Sequence, residues 1–162
     1  MGGRIALHGH GVRGRQLRGP LSPDGPPVTV EILCRRYRCQ RCGAVLVVVP
    51  RGVMPHRYFS ASAIAWAMAL FGVEHRPPHE VRRRTSPWSV VGETAAPSWT
   101  ALTRWVAAAK AGRLWTSLVR PRATDSRREV AEHVAQALAS RAPPPWDAKA
   151  AVRAFAGAAL AG

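Results

Sequence analysis

The sequence is short of acid and nearly devoid of lysine. Nine Asp and Glu stand against 24 Lys and Arg, a net charge of +15 over 162 residues. Lys110 and Lys149 are the only lysines. So few carboxylates leave most arginines without an acidic partner, and a chain with that field attracts polyanions. Long apolar runs are missing too. The longest, ASAIAWAMALFGV at 61–73, is too short to cross a bilayer. The start, MGGRIALHGHGVRGRQLRG, carries no apolar stretch of the kind a secretory signal needs. No long basic amphipathic helix stands out, so an anionic membrane surface is a weaker partner than nucleic acid. Cysteine is scarce and odd in number, three in all. Without a secretory signal, that argues for thiols in a reducing cytoplasm. A DNA-binding role would place the chain on the nucleoid.

What is present falls into three parts. Residues 1–52 read as a basic, Gly- and Pro-rich arm followed by a β-hairpin. VTVEIL at 28–33 alternates as a strand does, and AVLVVV at 44–49 is a β-branched run between Gly43 and Pro50. Residues 53–120 turn helical. Ser60 is a natural N-cap for a helix with Ile64, Met68 and Phe71 on one stripe and Gly72 as its stop. A short helix at 79–84 and a loop SVVGETAA precede a clearer helix at 97–111, with Pro97 in its first turn and Gly112 past its end. Residues 121–162 hold two Ala-rich helices. Ser126 and Glu129 make a capping box for the first, and Asp147 stands where it would cap the second. These helices would either cover the core or form a homodimer interface. The expected fold is mainly α with a small N-terminal β-hairpin: a ribbon-like hairpin followed by a helical bundle of helix-turn-helix type.

All three cysteines lie in CRRYRCQRCG. Cys39 and Cys42 form a C-x-x-C knuckle at a hairpin tip, which supplies half of a structural Zn2+ site. Cys34 is a third candidate. His8 and His10 are the nearest histidines, and an H-x-H pair on an extended strand would turn both rings to one face. The bland alternative is a hairpin turn whose cysteines bind no metal. His75, His79 and Glu80 resemble a second metal cluster, but Pro77 and Pro78 break any shared helix face.

Two arginine clusters, Arg35, Arg36 and Arg38 on the knuckle and Arg82, Arg83 and Arg84 on the short helix, suit phosphate contact rather than base choice. A solvated charged face is the ordinary alternative. On the helix at 97–111, Trp99, Leu102, Val106 and Ala109 share one side. Thr100, Thr103, Arg104 and Ala107 share the other. A small-residue face with Arg and Thr can approach base edges in a major groove, and the short helix before it would complete a helix-turn-helix. An ordinary amphipathic helix in a bundle has the same pattern. The six tryptophans read as core anchors.

The stretches LHGHGVRGRQLRG, RRYRCQRCG, RYFSASAIAWAM and SWTALTRWVAAAKAGRLW together resemble a family of bacterial transposase-like proteins. The N-terminal part of that family looks like the zinc-ribbon and helix-turn-helix module of insertion-sequence transposases. The resemblance covers roughly residues 3–118. It implies Cys39 and Cys42 as zinc ligands, with a first C-x-x-C knuckle just upstream of the Leu7–Gly11 stretch. Met1-Gly2-Gly3-Arg4 stands where that knuckle ends, so its partners would lie upstream or be lost. A nuclease does not carry over. Metal-dependent strand cleavage needs three acids on a mixed α/β core. The acids after residue 50 are Glu74, Glu80, Glu93, Asp125, Glu129, Glu132 and Asp147, and they fall in helix-like or loop segments. The expectation is a non-enzymatic protein that binds double-stranded DNA. An RNA-binding basic ribbon and an inactive remnant of a mobile element are the alternatives.

Overall fold

The computed structural model describes residues 6–89, 98–145 and 147–161. Among these, three strands and five helices follow one another: β1 (Leu7–Pro20), β2 (Pro27–Cys39), β3 (Val45–Val48), α1 (Ala61–Gly72), α2 (Pro78–Thr85), α3 (Thr100–Lys110), α4 (Arg127–Ala139) and α5 (Ala150–Leu160). The strands form one antiparallel sheet in the order β1-β2-β3. The fold is therefore α+β, and the expectation of a mainly α protein with a small hairpin is corrected. The error lies in the N-terminal segment. Residues 7–20, read as part of a loose arm, form a 14-residue strand paired along nearly the whole of the 13-residue β2. Glycine at positions 9, 11, 14 and 19 argues against a strand by propensity. Pairing with a well-formed partner overrides that preference. One of those glycines is required by the packing. Gly19 has φ +116°, and a Cβ there would lie 2.3 Å from the Cβ of Ala63 on α1. Only glycine lets β1 pass so close to the helix.

The core is built around α1. Every residue from Ala61 to Leu70 is buried, so this helix is covered on all sides. Ser60 caps it, its hydroxyl accepting a hydrogen bond from the Ala63 amide at 3.0 Å. Helices α4 and α5 pack on α1 and on each other. Small residues bring them close: a Cβ on Gly72 would lie 2.3 Å from the Glu132 amide nitrogen, and one on Gly157 would lie 1.9 Å from the Leu138 carbonyl oxygen. Trp66 and Phe155 meet edge to face across α1 and α5 at 6.3 Å. The Ala-rich C-terminal helices are thus part of the central core.

The capping box that starts α4 is complete. The Ser126 hydroxyl accepts from the Glu129 amide, and the Glu129 carboxylate accepts from the Ser126 amide at 2.6 Å. The start of α5 differs from expectation: Lys149 occupies the cap position and makes no side-chain cap, so Asp147 does not fill that role. Helices α2 and α3 lean separately on α1, and α3 also packs on α4. The loop SVVGETAA lies almost wholly outside the described residues, as do Glu93 and Pro97.

Candidate nucleic-acid interface

Strand alternation decides which ribbon residues can meet. Cys34, Arg36 and Arg38 fall on one face of β2, and Arg35, Tyr37 and Cys39 fall on the other. Pairing carries the faces across: Arg13 opposes Cys34, His8 opposes Arg38, and Leu7 opposes Cys39. Cys34 and His8 therefore sit on the opposite face from Cys39. His10 lies in the irregular stretch between Gly9 and Val12, and its ring centroid is 6.5 Å from that of His8. Among the described residues, no three His, Cys, Asp or Glu side chains gather closely enough to hold one metal ion.

Cys39 and Cys42 are brought together by a tight knuckle. The Cys39 amide donates to the Ala44 carbonyl, and the Gly43 amide donates to the Cys39 carbonyl, each at 2.9 Å. Gly43 sits at φ +73°, in the left-handed region that closes this turn. The backbone amides of Cys42 and Arg41, and then the Cys42 thiol, hold the Cys39 thiol below the usual range by hydrogen bonding to its sulfur. Such a pair of donors suits a thiolate ligand, so Cys39 and Cys42 fit half of a tetrahedral zinc site. The N-terminal end of β1 lies against the same knuckle, the Gln40 amide donating to the Ala6 carbonyl at 3.0 Å.

The arginines proposed from the sequence divide into two groups. Arg84 is engaged: its guanidinium lies 3.5 Å from both Asp24 and Glu80. Glu80 in turn pairs with Arg76 at 3.3 Å, and among the described residues His75, His79 and Glu80 do not gather as a group that could hold a metal ion. Arg35, Arg36, Arg38 and Arg83 have no acidic partner among the described residues, and Arg35, Arg38 and Arg83 are exposed. Arg82 is half-buried, with its Nε unpartnered. On α3, Leu102, Trp105, Val106, Ala108 and Ala109 are buried. Thr100, Thr103, Arg104 and Ala107 are exposed. The Thr103 hydroxyl lies 3.5 Å from the Trp99 carbonyl, a contact too long to hold it firmly. The inner side of α3 is anchored by an aromatic cluster: Phe59 to Trp105 at 4.9 Å, Phe59 to Trp99 at 6.0 Å, and Trp99 to Trp105 at 4.9 Å.

A cationic cleft was not foreseen. After β3 the chain crosses back beneath the ribbon. The crossing is tied to β1 where the Arg18 amide donates to the Tyr58 carbonyl at 2.8 Å and the Ser60 amide donates to the Arg18 carbonyl at 3.2 Å. Arg15 donates to the carbonyls of Met54 and Arg57 at 2.5 and 2.6 Å. Between crossing and sheet lies a cavity of about 670 Å³, walled by Cys34 and Val47 and lined by Arg13, Arg15, His56 and Arg57. At its edge the Arg18 guanidinium is sandwiched between the exposed rings of Tyr58 and Trp88, 4.3 and 4.0 Å from their centroids. The sequence signal for the cleft is the R-x-R of Arg13 and Arg15, which alternation places on one face once the segment is known to be a strand. No family model, curated protein or solved structure matches this chain.

Proposed function

We propose that the chain is a non-catalytic, transposase-related protein that binds double-stranded DNA. In this reading the exposed face of α3 enters the major groove, with Arg104 and the two threonines toward base edges. Arg36, Arg38, Arg82 and Arg83 hold phosphates, whereas Arg35 stands on the other face of β2 from Arg36 and Arg38. The observation that carries the reading is the α3 surface: a face of Thr100, Thr103, Arg104 and Ala107 stays open to solvent on a helix anchored from behind by tryptophan. A net charge of +15 supports it. Arg84, paired with Asp24 and Glu80, is better given a structural role. The acids are similarly occupied: Glu129 in its capping box, Glu80 and Asp24 in ion pairs, Asp125 accepting from the Arg122 amide at 2.8 Å. That distribution favours binding over metal-dependent cleavage. The knuckle would take Zn2+ through Cys39 and Cys42 once two more ligands are supplied, and the ion would then stiffen the ribbon tip.

The test is fluorescence anisotropy with a duplex from the DNA flanking the gene, titrated at several salt concentrations against excess unrelated duplex and against single-stranded RNA. The expected result is binding that survives the competitor. Arg104→Ala should lower discrimination between duplexes by about 1–3 kcal/mol, with binding to unrelated duplex unchanged. Unaltered discrimination in Arg104→Ala removes α3 from the recognition role. Preference for RNA favours the basic-ribbon alternative. Binding that vanishes with competitor leaves only the arginine field, as expected of a mobile-element remnant.

A further inference from the structure

We infer that the cleft between the sheet and the 50–58 crossing is a phosphate-binding site that holds the sugar–phosphate backbone of the bound duplex. The inference rests on the DNA-binding reading and adds to it a site on the opposite side of the ribbon from Cys39. Three observations carry it. First, the lining is one-signed. Arg13, Arg15, Arg57 and His56 converge on the cavity, and no carboxylate lines it among the described residues. Glu31, the acid on β2, lies beside Gly14 and opposite Gln16, both in the lining, but is not itself part of that lining. Cations gathered without counter-charge repel one another, and an anion between them relieves that repulsion.

Second, the site is built before any ligand arrives. Arg15 spends one amino group on two backbone carbonyls, those of Met54 and Arg57. Between them His56 adopts φ +55°, a conformation that costs an L-residue free energy and that the Arg15 clamp holds in place. The clamp fixes the backbone at Arg57, and Arg13 and Arg57 both line the cavity. The wall that carries Arg57 is thus set in advance, and planar guanidinium groups on the two walls can engage phosphate oxygens in bidentate fashion. Third, the cleft is joined to the recognition helix. Tyr58 lines it, and the next residue, Phe59, packs on Trp99 and Trp105 at the base of α3. A strand seated in the cleft would be held at a fixed offset from the α3 face. This is how phosphate contacts set register for base contacts.

The experiment compares three forms of the full chain by anisotropy over a salt series: wild type, Arg13→Gln/Arg57→Gln, and Arg122→Gln/Arg127→Gln. The last removes the same net charge from exposed positions far along the chain. Arg15 is left intact because it holds the crossing. Thermal melts by circular dichroism check that all three forms fold alike, and Arg13→Lys/Arg57→Lys serves as the charge-restoring variant should the glutamines disturb the fold. The cleft variant should flatten the log affinity against log salt slope by about 2, near 0.9 for each phosphate contact removed. It should weaken every duplex by the same factor, at least about tenfold at moderate salt. The distal variant should change both far less, and the lysine variant should keep most of the wild-type slope. Equal losses in the cleft and distal variants, or an unchanged slope in the cleft variant, overturn the inference. The two readings fail separately. If wild type does not discriminate between duplexes but the cleft variant still flattens the slope selectively, the recognition-helix reading falls and the cleft stands.

Discussion

Replacing Gly157 with Ala tests the packing on which the whole helical half depends. A methyl group at this position would lie 1.9 Å from the Leu138 carbonyl oxygen, 2.9 Å from the Leu138 carbonyl carbon and 3.1 Å from the Ala142 nitrogen. Carbon and oxygen ordinarily approach to about 3.3 Å at closest, so α5 must withdraw from α4 by more than an ångström. The obstructing atoms are backbone, and no side chain can swing aside. Withdrawal opens gaps along Ala151, Ala154, Phe155 and Ala158, all buried against α1 and α4. Gaps of that width forfeit a quarter to a half of each contact's attraction, and overpacking of this kind costs about 1–3 kcal/mol. Alanine returns about 1 kcal/mol of helix propensity. The net expectation is a loss of about 1 kcal/mol, and at most about 2, read as a fall of about 0.5 M in the urea midpoint for a chain of this size. Gly9→Ala is the internal control. A Cβ there meets nothing within 4 Å and the backbone is not left-handed, so the midpoint should stay or rise slightly. If Gly157→Ala is as stable as the wild type, α4 and α5 do not meet at this distance and the close-packed core is wrong.

Two further perturbations probe the chemistry. Ser126→Ala should cost about 1 kcal/mol at neutral pH by removing the α4 cap. The same hydroxyl and the Ser126 amide hold the Glu129 carboxyl below its usual range. The stability this contributes is present above the ordinary carboxylate pKa and is lost as pH falls through the lowered folded value. Urea titrations from roughly pH 7 to roughly pH 3 should therefore show a smaller acid-side decrement in Ser126→Ala than in the wild type, and identical decrements would rule out the linkage. For the knuckle, iodoacetamide should label Cys39 with a pH midpoint below the value of about 8.5 for a free thiol. Cys34, 1% exposed, should label only on unfolding. A Cys39 midpoint at or above the free-thiol value would show that its sulfur lacks the Cys42 and Arg41 amide donors.

The parts of this fold that local chemistry specifies were legible in the sequence. Ser60 and the Ser126–Glu129 pair announce helix starts because capping joins residues three apart, and Gly43 marks a turn because the knuckle requires a positive φ. The alternation of α3 separated its buried tryptophan side from Thr100, Thr103 and Arg104 for the same reason. What escaped was non-local. A glycine-rich segment carries no strand pattern of its own, so β1 became visible only through its pairing with β2. That register, and nothing in the composition, places Arg13 and Arg15 over the crossing that carries His56 and Arg57. It also separates Cys34 and His8 from Cys39, which spacing alone had allowed to share an ion.

Register also orders the functional argument. A net charge of +15 favours attraction of polyanions on physical grounds, but an unfolded chain of this composition would share it. Only the placement of those charges distinguishes a binding surface from a diffuse field. Arg84 is paired with Asp24 and Glu80 although it stands in the sequence beside Arg83, which has no acidic partner among the described residues. Arg13 and Arg57, 44 positions apart in the chain, line one cavity. A salt slope that responds to Arg13 and Arg57 but not to Arg122 and Arg127 would therefore report on the folded arrangement itself. Equal responses would mean that the cleft contributes nothing to binding beyond the charge it carries.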